Sequence, residues 1–526
     1  MNKINHVILC IIDDVRSTQF FEMIQNGFLP NFKKMMENGI YSENCITDFP
    51  SITFPTQVSI ITGTYTGDYR NELCHGVPCY NWMGRDTYPP HLRNYGSNRL
   101  DIYKMNQDLG MNCKTLFEMV GDGNKASITQ FINRGVDYFF PESRLKLALY
   151  YLLIKYYRNV RKIIARANSI VVQRVLDTFQ NPKKYFDVKE APIGSLLWFM
   201  TSDVILHMYG SDHLFYKLNL MHIDKVMGIL LKELKKMGYL DETAIAITAD
   251  HGNYKAKRVA QLKPYLNHFG LNQFNPRKNY KGNVDVAEFG GVGFFSFKGR
   301  TNSSQNSKNY KWNLPNRDEL EHFGPKNINL LQKLFKIDGV KLMYFQDSEN
   351  THKRGKIYLK KKLNNGNIIK GLLEYQGSGK EMKTRYSSEN SEYDIFDYKK
   401  CKDGYELCDE KYRTLNEWLD LTHNVDYPLY PDLLCRHFKN PRSSDIVLST
   451  QGEVVFNIEH GKKKGDIMYK HDIGLRESTI VPLIISGSKK IPKKEVKYCK
   501  TVDIVPTLLE MIGRSPFKEN IGEILY

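Results

Sequence analysis

The stretch HVILCIID, His6 to Asp13, is an unbroken apolar run that ends on a carboxylate. Runs of this length without polar alternation read as strands of a parallel sheet covered on both faces. The pattern recurs twice: SLLWFMTSD ends at Asp203, and AIAITADHG carries Asp250 and His251 near its end. In open α/β sheets ligands bind beyond the carboxyl ends of the strands, so three such runs are expected to gather their carboxylates in one crevice. A single strand-end Asp is ordinarily a turn residue or the N-cap of the next helix. Three of them, two with a histidine close by, point instead to a metal site.

Helical patterns fill the gaps between these runs. FLPNFKKMMENG is amphipathic and reaches Gly39 as a C-cap signal, and LNLMHIDKVMGILLKELKKMG has a basic last turn with Gly238 as its stop. TVDIVPTLLEMIG reads as a short final helix with Pro506 near its start. The fold class expected is α/β, with a mostly parallel central sheet flanked by helices and a smaller β-containing insertion. Residues 1–300 form the first part of the core, interrupted at about 139–190 by a basic helical segment rich in Tyr, Leu and Ile. That segment reads as a packing helix with a solvated basic face, with a membrane-surface helix as the alternative. Residues 301–436 form the insertion, in which GKIYLKKKLNNGNIIKGLLEYQGSG reads as strand, turn, strand, with Asn364, Asn365 and Gly366 at the turn. The core is expected to resume over 437–526, beginning at SSDIVLST and continuing at STIVPLIISG; TNSSQNSKNYKWN reads as a mobile loop.

The chain has 526 residues, 41% of them hydrophobic and 25% charged, enough to bury a large core. Its formal charge of +17 favours anionic partners: a phosphoester, nucleic acid or an acidic lipid surface. No RNA- or DNA-binding motif accompanies the charge. MNKINHVILCIIDD lacks the apolar region and cleavage site of a signal peptide, and no run approaches the roughly 18 to 20 apolar residues of a membrane span, so a cytoplasmic protein is expected, with peripheral contact to an acidic membrane as an option. The nine cysteines are scattered without a CxxC pair, and reduced thiols are expected.

The candidate ligands are Asp13, then Asp203 and His207 as D-x-x-x-H, able to face one ion on a first helical turn or across a tight strand-to-helix loop, then Asp250 and His251, and finally His471 in YKHDIGLRE. Asp and His without Cys suit Zn²⁺ or Mn²⁺ in a catalytic site. Two divalent cations close together would clamp both the attacking and the leaving oxygen of a phosphoryl transfer. A nucleophile is available in DFPSITFPTQVSIITG, which sets Ser51, Thr53 and Thr56 ahead of an apolar run. Such hydroxyls commonly cap a helix; the same helix start also offers free N–H groups to an oxyanion, and a metal-adjacent hydroxyl loses its proton readily. His460 in NIEHGKKKG rivals His471 as the late ligand, His75 in CHGV could line the pocket, and His213 reads as a solvated loop residue.

Taken in order, these segments resemble the alkaline phosphatase superfamily and, within it, the nucleotide pyrophosphatase/phosphodiesterase or type I phosphodiesterase family. IIDDVRS resembles the family's strand-Asp-Gly-Phe-Arg opening. SITFPTQVSIITG resembles its Thr-Phe-Pro-Asn-His segment and the Ser-Ile-Val-Thr-Gly after it, CHGVPCYNW its His-Gly-Ile stretch, and SDVILH and ADHG its two Asp/His pairs. The likeness runs from residue 6 to about 513. It implies an alkaline-phosphatase-like fold and two divalent metal ions, expected to be Zn with Mn or Mg as alternatives. One metal falls to Asp13, Thr53, Asp250 and His251, the other to Asp203, His207 and His471. It further implies a ping-pong hydrolysis of an anionic phosphoester through a phospho-threonine at Thr53. Two departures stand out. Asp14 replaces the family's Gly, and Thr56 replaces the Asn that holds a phosphoryl oxygen. A phosphomonoesterase or phosphonate hydrolase of the same superfamily is the alternative enzyme; a catalytically silent protein that binds anionic surfaces is the alternative from another class.

Overall fold

A computed structural model describes residues 4–526 apart from 88–89, 97–100, 144–145, 147–159, 276–278, 280, 299–311, 325, 347, 402–403 and 458–467. The stretch expected as a mobile loop falls almost wholly outside the described residues, as do His460 and the first part of the basic helical segment.

The apolar run that opens the chain forms the strand His6–Ile12, of which every residue but His6 is buried. It lies between Gly194–Phe199 and Thr243–Ala249 and is parallel to both. Register matters here: Ile12 stands opposite Phe199 on one side and Ala249 on the other. The three strands therefore end flush, and Asp13 and Asp250, one residue further on, leave the sheet at the same edge.

Outward from this trio, Lys125–Ile128 and Tyr138–Phe140 extend the sheet in parallel on one side. On the other side Ile480–Gly487, the STIVPLIISG run, is antiparallel to both of its neighbours, Thr243–Ala249 and Ile40–Ile46. The sheet is thus mostly parallel with one reversed strand, and helices flank it. Ser17–Gln25, Pro30–Glu37, Val160–Gln180 and Leu214–Lys236 pack against the sheet and one another; Thr53–Thr62 and Ile504–Met511 form a second group. Val160–Gln180, the described part of the basic segment, buries Val171, Val172, Val175 and Phe179 as a packing helix does.

A second, eight-stranded sheet holds the expected hairpin, Arg354–Lys362 against Ile368–Gln376, with Gly366 at φ 86° in its turn. This sheet also takes Val284–Glu288, Val292–Phe297 and Ile446–Ser449, and so draws on residues either side of 301–436. SSDIVLST, where the core is expected to resume, supplies the Ile446–Ser449 strand of this second sheet, between Val292–Phe297 and Leu342–Gln346. Its apolar run fits either sheet equally, and long-range pairing decides between them. No helix among the described residues is long and apolar enough to cross a membrane, and the nine cysteines are free thiols.

Candidate metal centre and nucleophile

Beyond the flush strand ends, Asp13 and Asp14 are both buried. Asp13 is fixed from two sides: the Trp198 indole Nε1 donates to its Oδ2 at 3.0 Å, and the Ser202 hydroxyl donates to its carbonyl. Asp250 accepts from Gln57 Nε2 at 2.6 Å, and Gln57 is held in turn by Gln130 at 2.7 Å. Asp203 departs from the expectation of a strand-end position. The strand stops at Phe199, and Asp203 sits in the first turn of the helix Thr201–Tyr209. Four residues on, His207 shares its face and brings Nε2 to 3.1 Å from Asp203 Oδ1.

Among the described residues three groups of metal-ligating atoms result: Asp13 with Asp250 and His251, Asp203 with His207 and His471, and Asp14 with His251 and His471, which shares its histidines with the other two. His251 and His471 stack with centroids 3.9 Å apart and join the groups. Each ring turns Nδ1 to a backbone carbonyl: Gly252 O at 3.2 Å for His251, Ser51 O at 3.1 Å for His471. A proton on Nδ1 satisfies both contacts and leaves each Nε2 lone pair free for a metal, an arrangement usual for ligating histidines. Free carboxylate oxygens make the same point, since Asp13 Oδ1, Asp14 Oδ2 and Asp203 Oδ1 are buried with no hydrogen-bond partner. Burial, then the neighbouring carboxylates, pushes the Asp13 and Asp14 carboxyls well above the usual range. Burial also opposes the Asp203 charge, but His207 and the other two imidazoles overcome it and hold its carboxyl low. Buried charge of this density calls for cations, and the donor set fits two.

Thr53 opens the helix Thr53–Thr62, whose N-cap is Ile52 and whose start no side chain caps. The capping role that its composition suggests is therefore unfilled, and the Thr53 hydroxyl points elsewhere: its Oγ1 lies 3.1 Å from His251 Nε2. With Nδ1 protonated, that ring nitrogen turns its lone pair to the side of the hydroxyl, where both atoms could meet one cation. Ser51 does not join the cluster as a ligand; its hydroxyl donates to His471 O and so braces the late histidine.

The two residues assigned to substrate binding are placed as follows. Thr56 is fully buried and its Oγ1 donates to Ile52 O at 2.8 Å, with Thr53 O at 3.0 Å. Its one proton is thus engaged by its own helix. His75 is fully buried beneath that helix, accepting from Val77 N–H at Nδ1 and meeting Ser59 Oγ with Nε2 at 3.0 Å. Ser59 in turn donates to Asp48 Oδ2 at 2.6 Å. Burial, then Arg442, drops the His75 pKa to about 3, which keeps the ring neutral. His213, read as a solvated loop residue, caps the helix Leu214–Lys236 by accepting from Phe215 N–H.

Sequence reasoning passed over the supporting residues. Gln57, one turn after Thr53, was open to discovery by its i+4 spacing. Trp198, Gln130 and Ser202 carry no local signal. Asp472 anchors the His471 loop to the second sheet by accepting from Tyr254 OH at 2.7 Å and Val292 N–H at 2.8 Å.

A parallel-sheet crevice with two carboxylate-imidazole groups and a hydroxyl at a helix start is the layout of a hydrolase acting on phosphoric esters. The profile of the type I phosphodiesterase / nucleotide pyrophosphatase family matches residues 7–340, and the chain belongs to that family. Rat ectonucleotide pyrophosphatase/phosphodiesterase family member 1 is 24% identical over 247 residues, 46% of this chain and 23% of the rat protein, so the match spans under a quarter of that relative's length. Among solved structures, an inactive form of murine ectonucleotide pyrophosphatase/phosphodiesterase 5 in complex with AMP superposes with a TM-score of 0.55 at 12% identity, covering 98% of this chain and 96% of that one. Its human counterpart gives 0.54 at 12% identity, over 97% and 96%. At such identity the likeness shows the fold, which is that of the alkaline phosphatase superfamily.

Proposed function

We propose that the chain is a metal-dependent phosphodiesterase of the nucleotide pyrophosphatase type with Thr53 as its nucleophile. The contact between Thr53 Oγ1 and His251 Nε2, at the edge of a pocket of unpartnered carboxylate oxygens, carries the proposal. Asp13, Thr53, Asp250 and His251 would hold one divalent cation and Asp203, His207 and His471 the other, with Zn²⁺ favoured by the donor set and Mn²⁺ or Mg²⁺ as alternatives. Bound there, the cations supply positive charge for the phosphoryl oxygens and favour loss of the hydroxyl proton.

This chain's own residues do the rest. The His251 ring lies against the Thr53 hydroxyl and orients its oxygen, and the proton that this hydroxyl loses passes to solvent water. Thr53 oxygen bonds to phosphorus as the bond to the departing alcohol breaks, and that alcohol takes up a proton. Water then cleaves the Thr53–phosphorus bond and returns a proton to the threonine oxygen, releasing a phosphomonoester from a diester. The uncapped first turn directs free N–H groups and the positive end of the helix dipole at the phosphoryl group. AMP in the murine neighbour supports a nucleotide ester as the substrate class. Nine free thiols, seven of them buried, support a reducing, intracellular setting.

Hydrolysis of bis-p-nitrophenyl phosphate and p-nitrophenyl phosphate, with each cation added to stripped protein, tests the proposal. Preference for the diester supports it. Preference for the monoester moves the chain to the phosphomonoesterase branch, and full activity in Thr53→Ala removes the nucleophile.

A further inference from the structure

Five of the fifteen large apolar side chains exposed among the described residues fall between positions 208 and 229: Met208, Leu214, Leu218, Met221 and Ile229. Four of these lie on the helix Leu214–Lys236, and the exposed residue Lys225 fills the step between Met221 and Ile229. Lys232 and Lys236 carry the same line to the C-terminus. Spaced by threes and fours, these positions share one face of the helix. The opposite face is spent on the core, where Tyr216, Leu220, Ile223, Met227 and Leu230 are buried.

Among the described residues this second stripe stays exposed. A helix that packs one face normally shows polar residues on the other, and contiguous exposed apolar side chains rimmed by charge mark a contact surface. Lys217 is exposed beside Leu218, and Arg166 is exposed on the neighbouring helix Val160–Gln180, which packs along this one. Glu233, the acidic residue near the stripe, is bridged by Lys236 at 3.6 Å.

We propose that this face docks on an anionic lipid bilayer, the leucines, methionines and isoleucine entering the headgroup boundary while the lysines meet acidic headgroups. The charge pattern selects this occupant. A second copy of the chain, related by a two-fold axis, would set Lys225 and Lys232 against like charges, whereas an anionic bilayer satisfies both the apolar and the basic positions at once. Met208 is exposed on the helix Thr201–Tyr209, which packs against the helix Leu214–Lys236.

Co-sedimentation of the full chain with vesicles of phosphatidylcholine alone, and of phosphatidylcholine with roughly 30% phosphatidylserine, tests the proposal. Binding is expected on the anionic vesicles, weakening at high salt, and falling roughly tenfold or more in the double variant L218E/M221E and in K225E/K232E. Thermal melting confirms that each variant folds, and hydrolysis of a soluble diester is expected to stay at the wild-type rate. Equal sedimentation with both vesicle types, or wild-type binding by L218E/M221E, overturns the proposal. So does a dimer in solution that L218E/M221E dissociates, which assigns the face to a second copy. These outcomes are independent of which phosphoester the crevice hydrolyses.

Discussion

Thr53 and His251, 198 positions apart in sequence, meet through Oγ1 and Nε2 at 3.1 Å. One opens a helix that no side chain caps; the other follows the strand Thr243–Ala249 by two residues. Their meeting depends on the Nδ1 of His251 being turned to Gly252 O, which leaves Nε2 to face the hydroxyl. Removing the hydroxyl is expected to lower the turnover rate by on the order of 10³-fold or more while cation binding persists through Asp13, Asp250 and His251. Thr53→Ser, which keeps the oxygen, is expected to retain measurable turnover. Steady-state kinetics with calorimetric cation titration checks both halves.

Asp14 offers a separable test. It adopts φ 56°, a left-handed conformation that suits glycine, and its buried Oδ2 has no partner. Its other oxygen accepts from Asn253 at 2.8 Å and lies 4.0 Å from His251 Nδ1, where negative charge strengthens the ring as a ligand. Asp14→Gly is expected to raise the melting temperature of cation-free protein, because strain and a buried carboxylate are removed together. The same change is expected to weaken cation binding roughly 10- to 100-fold. Movement of both quantities in one direction contradicts this role.

Cation removal should itself destabilise the chain. Asp13 and Asp14 each leave a buried oxygen unpaired and Asp203 Oδ1 meets the ligating candidate His207, so a divalent cation at a hundred times its dissociation constant is expected to stabilise the fold by about 2.7 kcal/mol per site. Melting curves across a cation series read this directly, and Asp203→Asn should lose one of the two increments.

Asp48 gives the fold a pH dependence of its own. Burial, against hydrogen bonds from Ser59 and Phe49, raises its pKa from 3.8 to about 7. An acid whose folded pKa exceeds its unfolded one keeps its proton longer in the native state, so its contribution is full at low pH and is lost as pH rises from about 4 to about 7. The loss amounts to at most roughly 4 kcal/mol. Asp48→Asn cannot ionise, and its denaturation curves should lack this part of the wild-type decline between about pH 4 and about pH 7.

The sequence revealed the sheet and its crevice because three continuous apolar strands can be recognised without knowing their partners. Flush register then brings Asp13 beside Asp250, as the strand-end pattern suggests. Asp203 was legible as a ligand candidate, and its spacing to His207 allowed a first helical turn; the point where SLLWFM passes from strand into helix was hidden because hydrophobicity does not break there. The sheet that takes the strand Ile446–Ser449 was not legible, because an apolar tetrapeptide carries no address. The engagements of Thr56, His75 and Ser51 with distant or local backbone groups were hidden for the same reason: a hydroxyl's partner is set by tertiary contact, and residue type alone cannot name it.

The stereochemical course at phosphorus tests the central claim most directly. Attack by Thr53 followed by attack of water makes two in-line displacements, each inverting phosphorus. Hydrolysis of a diester made chiral at phosphorus by oxygen-isotope and sulfur labelling, run in isotopically labelled water, is expected to give net retention of configuration. Net inversion would show a single displacement by water and would contradict the covalent role of Thr53.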